Sequence, residues 1–305
     1  MRSRCICTLI VWFALVGQAA AWDRTGHLVV AHIAWQQMSP EARAVAAELL
    51  DSAPPDADLR QLRPVDGRPL AERQAEHFQI AAYWPDIMRD GSFPERRDKY
   101  HRGDWHWVNI FFETRPEGGV ELTDREPRGK ILDQLAALSE SVGDVARSSS
   151  LRAIDLAWIL HLVGDLHQPL HATARITPTE PEGDRGANLF PLAGNVNLHW
   201  YWDSALRSAN FRWWFQSETS YIRRIADSIQ EEHPRRAFGD RATDRDFTGW
   251  ARESFEIART RLYPPELQRY RKPGREYTEM TEEISRERIA LAGYRLGRLL
   301  DSKLK

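Results

Sequence analysis

Apolar residues recur at helical spacing along most of the chain, and no alternation of apolar and polar residues recurs as it would in a β-sheet protein. Ser39 and Pro40 are typical of a helix start, with serine as the N-cap and proline as the first helical residue. The pattern predicts helices at residues 28–35, from 40 onward, and at 71–89, 129–145, 150–167, 198–230, 247–262 and 277–300. It therefore predicts an all-α fold, as a single domain.

Two kinds of segment interrupt the helical pattern. Residues 105–112 are rich in aromatic and β-branched residues, which favours a short strand, but no second β-segment is predicted for it to pair with. Residues 51–69 and 173–197 are rich in Pro, Asp, Gly and Asn and are predicted to be loops. The second loop is long enough to be functional rather than a simple connection.

The segment 156–171 combines an apolar surround with ionisable residues. A helix that is apolar on every side is predicted to be buried. His161 and Asp165 are four residues apart and therefore project from one face, and His171 follows just after Pro169, which ends the regular helix. Buried histidines and carboxylates are costly without partners. A divalent metal ion would satisfy all three, although a single buried histidine is more often an ordinary core residue.

The first 21 residues differ in character from the rest. Arg2 and Arg4 precede an apolar run that ends in the small residues of 18–21. This pattern is typical of a secretory signal peptide and is too short for a membrane-spanning helix. We therefore expect an exported protein, periplasmic or secreted, that is cleaved before Trp22 and has one mature domain over residues 22–305.

Composition limits what this exported protein binds. Of its 305 residues, 42% are hydrophobic and 28% are charged, which is typical of a globular chain. Cleavage would remove two of the 42 basic residues and none of the 44 acidic ones, so the formal charge of −2 would become −4. An acidic body is not typical of a passive nucleic-acid-binding protein. Cleavage would also remove both cysteines, so bound metal could take the stabilising role of disulfides.

Further histidines and aspartates could complete a metal site. His199 and Asp203 repeat the four-residue spacing of His161 and Asp165, and two such pairs in one helical chain are more specific than one. The other candidates of these types are His27, Asp86 and His106. Taken singly, an aspartate could be a surface carboxylate and a histidine could be solvated.

Together these residues carry a resemblance to a known family. The motifs are Trp22-x4-His27, Trp84-x-Asp86-x2-Arg89, Trp105-His106, His161-x3-Asp165-x5-His171 and Asn197-Leu198-His199-x3-Asp203. In order and spacing the chain resembles the zinc-dependent single-strand-specific nucleases and 3′-nucleotidases, the class I nucleases of fungi and plants and their bacterial relatives. These share a fold with bacterial zinc phospholipase C. The resemblance runs from Trp22 to about Asp203, and Trp250-Ala251-x-Glu253-Ser254 extends it.

The resemblance implies a helical fold around three zinc ions. The first ion would be held by Asp86, His106, His161 and Asp165. The second would be held by the α-amine and carbonyl oxygen of Trp22, by His27, and by Asp165 bridging to the first. The third would be held by His171, His199 and Asp203. Because residue 22 has a free α-amine only after cleavage, the precursor would lack a complete site.

The resemblance also implies a reaction and a substrate. A zinc-bound hydroxide would hydrolyse phosphoester bonds of single-stranded DNA and RNA to 5′-phosphorylated products, and the enzyme would also act on 3′-nucleotides. Asp86, Asp165 and Arg89 would serve catalysis, with Arg89 contacting the phosphate. Trp107 would stack on a base, and Asn109, where the fungal enzymes have aspartate, would hydrogen-bond the base. Nothing implies a stable protein partner, and a monomer is expected.

Several residues near these motifs keep open interpretations. Trp107 is as readily a core residue as a stacking platform, and Arg89 could be a surface arginine. Residues 183–188 resemble the family's Gly-Gly-Asn segment and are expected at the rim of the cleft. Trp105, Trp200 and Trp202 are expected to pack behind the metal ions. The histidines expected to be structural or solvated are His32, His77, His101, His167 and His233.

Two other functions compete with the nuclease. Zinc phospholipase C, which acts on phosphatidylcholine-like lipids, carries glutamate four residues after the last histidine, where this chain has Asp203. Arg89 and Trp107 also favour the nuclease. In a non-catalytic metal-binding export protein, zinc would only replace disulfides, and a purely structural site would be coordinatively closed.

Overall fold

The computed structural model describes residues 22–114, 120–208 and 217–304, so the predicted signal peptide lies outside the described residues. The α-helices in this part of the chain are α1 (Arg24–Gln37), α2 (Pro40–Asp51), α3 (Leu70–Ala81), α4 (Trp84–Ile87), α5 (Pro94–Tyr100), α6 (Ile131–Ser141), α7 (Ser149–His167), α8 (Leu198–Asp203), α9 (Glu218–Glu232), α10 (Phe247–Arg261) and α11 (Arg275–Lys303). The strands are β1 (Val108–Thr114), β2 (Val120–Leu122), β3 (Arg128–Gly129) and β4 (Thr173–Ile176). The predominance of helix confirms the predicted all-α class.

Helix α7 lies at the centre of the packing. Its residues from Asp155 to His167 are all buried, as expected for a helix without a polar face. Helices α1, α2, α6, α10 and α11 pack around it. Within the described ranges, none of these helices is both long and apolar enough to cross a bilayer. Helix α7 is enclosed by the helices that pack around it.

The long helix α11 lies directly against α1. A Cβ atom added at Gly293 would lie 2.6 Å from Cβ of Ile33, and one added at Gly297 would lie 2.6 Å from Cβ of Gln37. The two glycines are one helical turn apart and so face α1 together. Because α1 carries His27, this close contact fixes one of the predicted metal ligands relative to the core.

The predicted strand exists, but it is not isolated. Strand β1 pairs with β2 and β3 in antiparallel fashion and with β4 in parallel fashion. The expectation of an unpaired strand is wrong because the partners are only two to four residues long, which is too short to give an alternating pattern. Strand β4 also replaces the first part of the predicted 173–197 loop.

Two predicted helices are broken in the structure. The segment 71–89 divides into α3 and α4, because the Asp86 N–H donates to Tyr83 O at 3.2 Å rather than continuing the helix to Ala82. The segment 198–230 divides into α8, a 3₁₀ turn at Ala205–Ser208 and α9; residues 209–216 lie outside the described residues. Pro85, the second residue of α4, was the available sequence signal for the first break.

Buried charge ties α11 to the end of α7. Arg288 donates to the carbonyl oxygen of His167 at 3.2 Å, and Arg295 donates to His167 Nε2 at 3.0 Å. Both arginines also donate to Glu253 at 2.8 Å. A positive charge at a helix C-terminus is favourable. This network holds the turn that leads to His171, and it gives His167 the structural role that was expected.

We predict that Gly293→Ala lowers the free energy of unfolding by about 1–3 kcal/mol, because the added methyl overpacks the contact with Ile33. Chemical denaturation of the purified variant measures the change. Gly91→Ala serves as the control, because no atom lies within 4 Å of its added Cβ. Equal stability of the two variants would show that α1 and α11 can separate without cost.

Candidate metal centre and substrate cleft

The predicted metal ligands come from distant parts of the chain to one buried region. They are His27 on α1, Asp86 on α4, His106 before β1, His161 and Asp165 on α7, His171 in the 3₁₀ turn Pro169–Ala172, and His199 and Asp203 on α8. All eight side chains are buried. Asn197 caps α8 by accepting from Trp200 N–H at 2.7 Å, which starts that short helix where its two ligands need it.

Three groups of these side chains bring ligand atoms together. Within each group the nitrogen and oxygen atoms lie within 4.8 Å of one another. The groups are His27, His161 and Asp165; Asp86, His106 and His161; and His171, His199 and Asp203. Nitrogen and carboxylate oxygen at such distances form the donor set that zinc prefers. The structure thus assembles three candidate cation sites.

Asp165 lies between two of the groups. Its Oδ1 is 3.4 Å from His27 Nε2, and its Oδ2 is 2.9 Å from His106 Nδ1. Oδ2 is also 3.3 Å from His161 Nε2. One carboxylate therefore turns one oxygen toward each of two sites, which is the geometry that a bridging ligand requires.

The Nε2 atoms of His171 and His199 face each other, and neither carries a proton with which to form a hydrogen bond. The Nδ1–H of His171 donates to His106 O at 2.7 Å, and the Nδ1–H of His199 donates to Gly186 O at 2.6 Å. In a neutral imidazole the second nitrogen is then a lone pair. The two Nε2 atoms nevertheless face each other at 3.0 Å. A cation bound to both lone pairs turns this repulsion into attraction.

Two ring nitrogens also meet in the group of Asp86, His106 and His161. The Nδ1–H of His161 donates to Ala82 O at 2.8 Å, and its Nε2 lies 2.9 Å from Nδ1 of His106. Protonation of these rings is disfavoured by the protein, since burial lowers the pKa of His161 to about 3 and that of His199 to about 4. The rings are therefore neutral near pH 7 and available as metal ligands.

Buried carboxylates reinforce the case for bound cations. Burial raises the pKa of Asp86, Asp165 and Asp203, which means that each charged form lacks sufficient compensation from the protein. Buried ligand atoms without a hydrogen-bond partner include Oδ2 of Asp86, Oδ1 of Asp165 and Oδ2 of Asp203. Such atoms are rare unless an ion or water satisfies them. The donor set and these atoms fit zinc.

Trp22, where the mature chain is predicted to begin, lies beside this centre. Trp22 is fully buried, and a Cβ atom added at Gly164 would lie 2.9 Å from His27 Nδ1 and 3.8 Å from Cδ1 of Trp22. The Asp23 N–H donates to Asp203 O at 2.8 Å. Trp22 is thus close to the group that contains His27, as its predicted ligand role requires.

Gln168 was not singled out in the sequence, yet it holds one ligand. Its Nε2 donates to Asp203 Oδ1 at 2.6 Å, and its Oε1 accepts from Leu170 N–H at 2.5 Å. Partners of this kind orient metal ligands and raise their affinity. Its location in the string His167-Gln168-Pro169-Leu170-His171, directly before the turn that carries a candidate ligand, was the available signal.

A cleft of about 600 Å³ adjoins the centre. Its lining includes three members of the metal groups (His106, His171 and His199), the predicted substrate residues Arg89, Trp107 and Asn109, and His101. Arg89 Nη2 lies 3.0 Å from Asp86 Oδ1, so the arginine is directed at the metal groups rather than at bulk solvent. His101, which was expected to be structural or solvated, also lines this cleft.

Trp107 is fixed at the cleft wall rather than in the core. It is partly exposed, and its Nε1–H donates to Gly103 O at 3.1 Å. Gly129 has φ of +110°, and a Cβ there would lie 2.6 Å from the Trp107 ring. Only glycine tolerates both this backbone conformation and this contact. The indole is therefore held in one orientation.

Residues 183–188 form part of the cleft rim, as expected. Arg185, Asn188 and Leu189 line the cleft. Arg185, Gly186 and Ala187 all have positive φ, which is costly for the two non-glycine residues. This conformation directs Gly186 O at His199 Nδ1. The rim thus also positions a metal ligand.

The predicted tryptophan shell is confirmed for Trp105 and wrong for Trp200. Trp105 packs against Trp158 at 4.9 Å between ring centroids, and Trp158 contacts His106 at 5.3 Å. Trp202 is buried and donates to the Tyr277 hydroxyl at 3.0 Å. Trp200 is 40% exposed, so the expectation that it packs behind the metals is wrong. Next to His199 on a short helix, its side chain points away from the centre.

Comparison with known proteins agrees with this geometry. A family profile described as S1/P1 nuclease matches residues 22–305. The chain belongs to the S1/P1 nuclease family. It is similar to Endonuclease 4 of Arabidopsis thaliana (24% identical, over 64% of this chain and 60% of the relative) and to Nuclease P1 of Penicillium citrinum (25% identical, over 60% and 57%). The matched region therefore spans about three fifths of the length of these curated relatives.

We predict that chelation lowers the free energy of unfolding of this S1/P1 family member. Chelation would leave the opposed nitrogens and buried carboxylates without a cation. The loss should be about 4 kcal/mol for an ion that was present at 1,000 times its Kd. Thermal unfolding of zinc-loaded and chelated protein at neutral pH measures the loss. Zinc should restore the midpoint and magnesium should not, because magnesium favours oxygen ligands. Identical midpoints with and without chelator would contradict a metal centre.

Proposed function

We propose that this chain is an exported zinc-dependent phosphodiesterase, an endonuclease and 3′-nucleotidase. It cleaves single-stranded DNA and RNA to 5′-phosphorylated products and acts as a monomer. One observation carries the proposal: three buried cation-binding groups adjoin a cleft whose wall holds an arginine and a partly exposed tryptophan. Membership of the S1/P1 nuclease family supports the same reaction.

The donor geometry supports three zinc ions per chain. The first would be held by Asp86, His106, His161 and Oδ2 of Asp165. The second would be held by His27, Oδ1 of Asp165, and the α-amine and carbonyl oxygen of Trp22. The third would be held by His171, His199 and Asp203. When bound, zinc supplies Lewis-acid chemistry, which activates water near neutral pH and neutralises charge on phosphoryl oxygens.

The protein's own groups keep the centre ready for this chemistry. Three backbone carbonyls hold the Nδ1 protons of His161, His171 and His199, which leaves each Nε2 lone pair available to the ion that the residue would bind. Arg89 would donate to the phosphate oxygens, where its charge stabilises the negative charge of the transition state. Because these donors are fixed before substrate binds, little reorganisation is needed.

The cleft wall would hold the nucleoside next to the scissile phosphate. Trp107 directly follows His106, so a base stacked on its indole lies close to the metal groups. Asn109 is two residues further and lines the same cleft. Its amide offers both donors and an acceptor to a base edge. Stacking contributes affinity without a sequence code, which suits cleavage at many sequences.

Export would be part of the mechanism. Cleavage before Trp22 frees the α-amine that is assigned to the second ion. The burial of Trp22 and the hydrogen bond from Asp23 N–H to Asp203 O support a chain start held inside the centre. A protein extended upstream of Trp22 would bind less zinc than the mature form.

Hydrolysis of four substrates tests the function. Mature protein beginning at Trp22 and loaded with zinc is given single-stranded DNA, RNA, adenosine 3′-monophosphate and phosphatidylcholine vesicles, with and without chelator. We expect chelator-sensitive hydrolysis of the first three and none of the lipid. Lipid hydrolysis alone would instead indicate a phospholipase, and inactivity on all four would indicate a structural metal site.

We predict that Asp165→Asn abolishes hydrolysis of nucleic acid and reduces the zinc content by at least one ion. The amide keeps the shape of the side chain but loses the charge that faces two groups at once. Zinc per chain is measured by elemental analysis beside the activity. The matched control is Asp155→Asn on the same helix, where Asp155 pairs with Arg147 at 2.8 Å. Normal turnover in Asp165→Asn would refute the bridging role.

We predict that Trp107→Ala raises KM for single-stranded oligonucleotides by about 5–150-fold and changes kcat less, because one stacked base contributes about 1–3 kcal/mol. Steady-state kinetics on a DNA oligomer measure both constants. Trp200→Ala provides a control, because that tryptophan is exposed but absent from the cleft lining. An unchanged KM in Trp107→Ala would make Trp107 a structural residue.

A further inference from the structure

One face of strand β1 continues the cleft away from the metal groups. Trp107, Asn109 and Phe111 are spaced two apart and all line the cleft, as expected when alternate residues share a face. At about 3.3 Å per residue, Asn109 lies about 7 Å along the chain from Trp107. Phe111 lies about 13 Å along the chain from Trp107, so the wall extends beyond the two residues assigned to the nucleoside.

Arg128 lies across from this face. It pairs with Asn109 in the β1–β3 register, and directly opposed residues project from the same side of a sheet. Its guanidinium lies 5.7 Å from the centroid of the Phe111 ring and donates to Glu182 at 3.1 Å. The side chain is 57% exposed and lines the cleft. The Glu182 contact thus restrains the guanidinium, while its exposure leaves the positive charge accessible to a ligand.

Strand β3 is fixed to the segment that carries the metal ligand. A Cβ atom at Gly129 would lie 2.1 Å from Trp107 O, so the two backbones touch. The Lys130 N–H donates to Asp104 O at 2.9 Å, and Lys130 Nζ lies 2.6 Å from Asp104 Oδ2. These interactions hold Arg128 at a constant distance from His106.

Arg185 adds a second positive charge to the cleft. It is exposed, it lines the cleft, and it makes no ion pair with a residue in the described part of the chain. Its backbone is anchored on both sides: buried Asp184 accepts from the Tyr263 hydroxyl at 2.8 Å, and Gly186 O accepts from His199. The exposed guanidinium is solvated and not engaged by a described carboxylate, so it is available to a negatively charged ligand in the cleft.

We propose that Arg128 and Arg185 form a second phosphate subsite, which binds a phosphodiester of the nucleic-acid strand adjacent to the one being cleaved. This inference rests on the proposed nuclease function. Arg89 serves the phosphate at the metal groups, whereas these two arginines line the part of the cleft formed by β1, β3 and residues 183–188. A 3′-mononucleotide has only one phosphate and cannot occupy both places. The subsite therefore distinguishes strands from mononucleotides.

Glutamine variants test the subsite without removing the aliphatic stems that pack. In Arg128→Gln, Arg185→Gln and the double variant, steady-state kinetics are measured on a single-stranded thymidine hexanucleotide and on adenosine 3′-monophosphate. We expect KM for the hexanucleotide to rise about tenfold per arginine, as for removal of a charge-assisted hydrogen bond. We expect kcat/KM for the mononucleotide to stay within about twofold of the unsubstituted enzyme.

Salt dependence gives an independent readout. For a single strand, the slope of log affinity against log salt becomes shallower by about 0.7 for each phosphate that the protein no longer neutralises. The slope for the hexanucleotide should decrease by that amount in each single variant. Glu182→Gln should act in the opposite direction and lower KM, because it removes the carboxylate beside Arg128. Arg275→Gln, whose side chain is 86% exposed on α11, is the control for general charge.

The outcomes separate this inference from the proposed function. If the unsubstituted enzyme cleaves both substrates but hexanucleotide KM and salt slope are unchanged in the double variant, the subsite is refuted while the nuclease stands. Equal losses on both substrates would also refute it, since they would place the arginines at the scissile phosphate. If the unsubstituted enzyme cleaves neither substrate, both proposals fail.

Discussion

The Nε2 lone pairs of the buried His171 and His199 face one another across 3.0 Å in this protein, and a bound cation would make that arrangement favourable. Protonation of the rings could also remove the repulsion, but burial disfavours it by lowering the pKa of His171. Burial also raises the pKa of the neighbouring Asp203. The centre is thus a set of neutral donors and poorly compensated carboxylates in the core of a helical protein. Metal binding and folding are therefore expected to be coupled, because such a site rarely exists in the unfolded chain.

The irregular parts of the fold follow from the need to orient these rings. Ala82 O is available to His161 because the helix breaks between α3 and α4, and Gly186 O reaches His199 because a left-handed stretch turns it inward. His106 O similarly accepts from His171. Each carbonyl fixes one tautomer. The helix break and the strained backbone weaken the secondary structure locally. In return, they fix the orientation of the histidine rings in the candidate metal centre.

The sequence predicted the part of this arrangement that is local. The i, i+4 pairs His161–Asp165 and His199–Asp203 follow from helix geometry, and the buried character of α7 follows from its lack of a polar face. The parallel pairing of β1 with β4 and the outward position of Trp200 depend on interactions between distant segments. Gln168 and Arg128 were not predicted for the same reason, since their roles arise only when α8 or β1 lies beside them.

The distribution of charge and aromatic surface bears on why a single strand would be selected. The body carries a slight excess of acidic residues, so attraction for a polyanion must arise within about 8–10 Å of the cleft, the range of electrostatic interactions at ordinary salt. The fixed indole of Trp107 can stack only with a base that has left a duplex stack, and unstacking a paired base costs a few kcal/mol. A single strand does not incur the cost of unpairing. Selection for single strands would therefore need no contact with specific base edges. It would need only a stacking surface that a paired base can use after paying the free energy of unpairing.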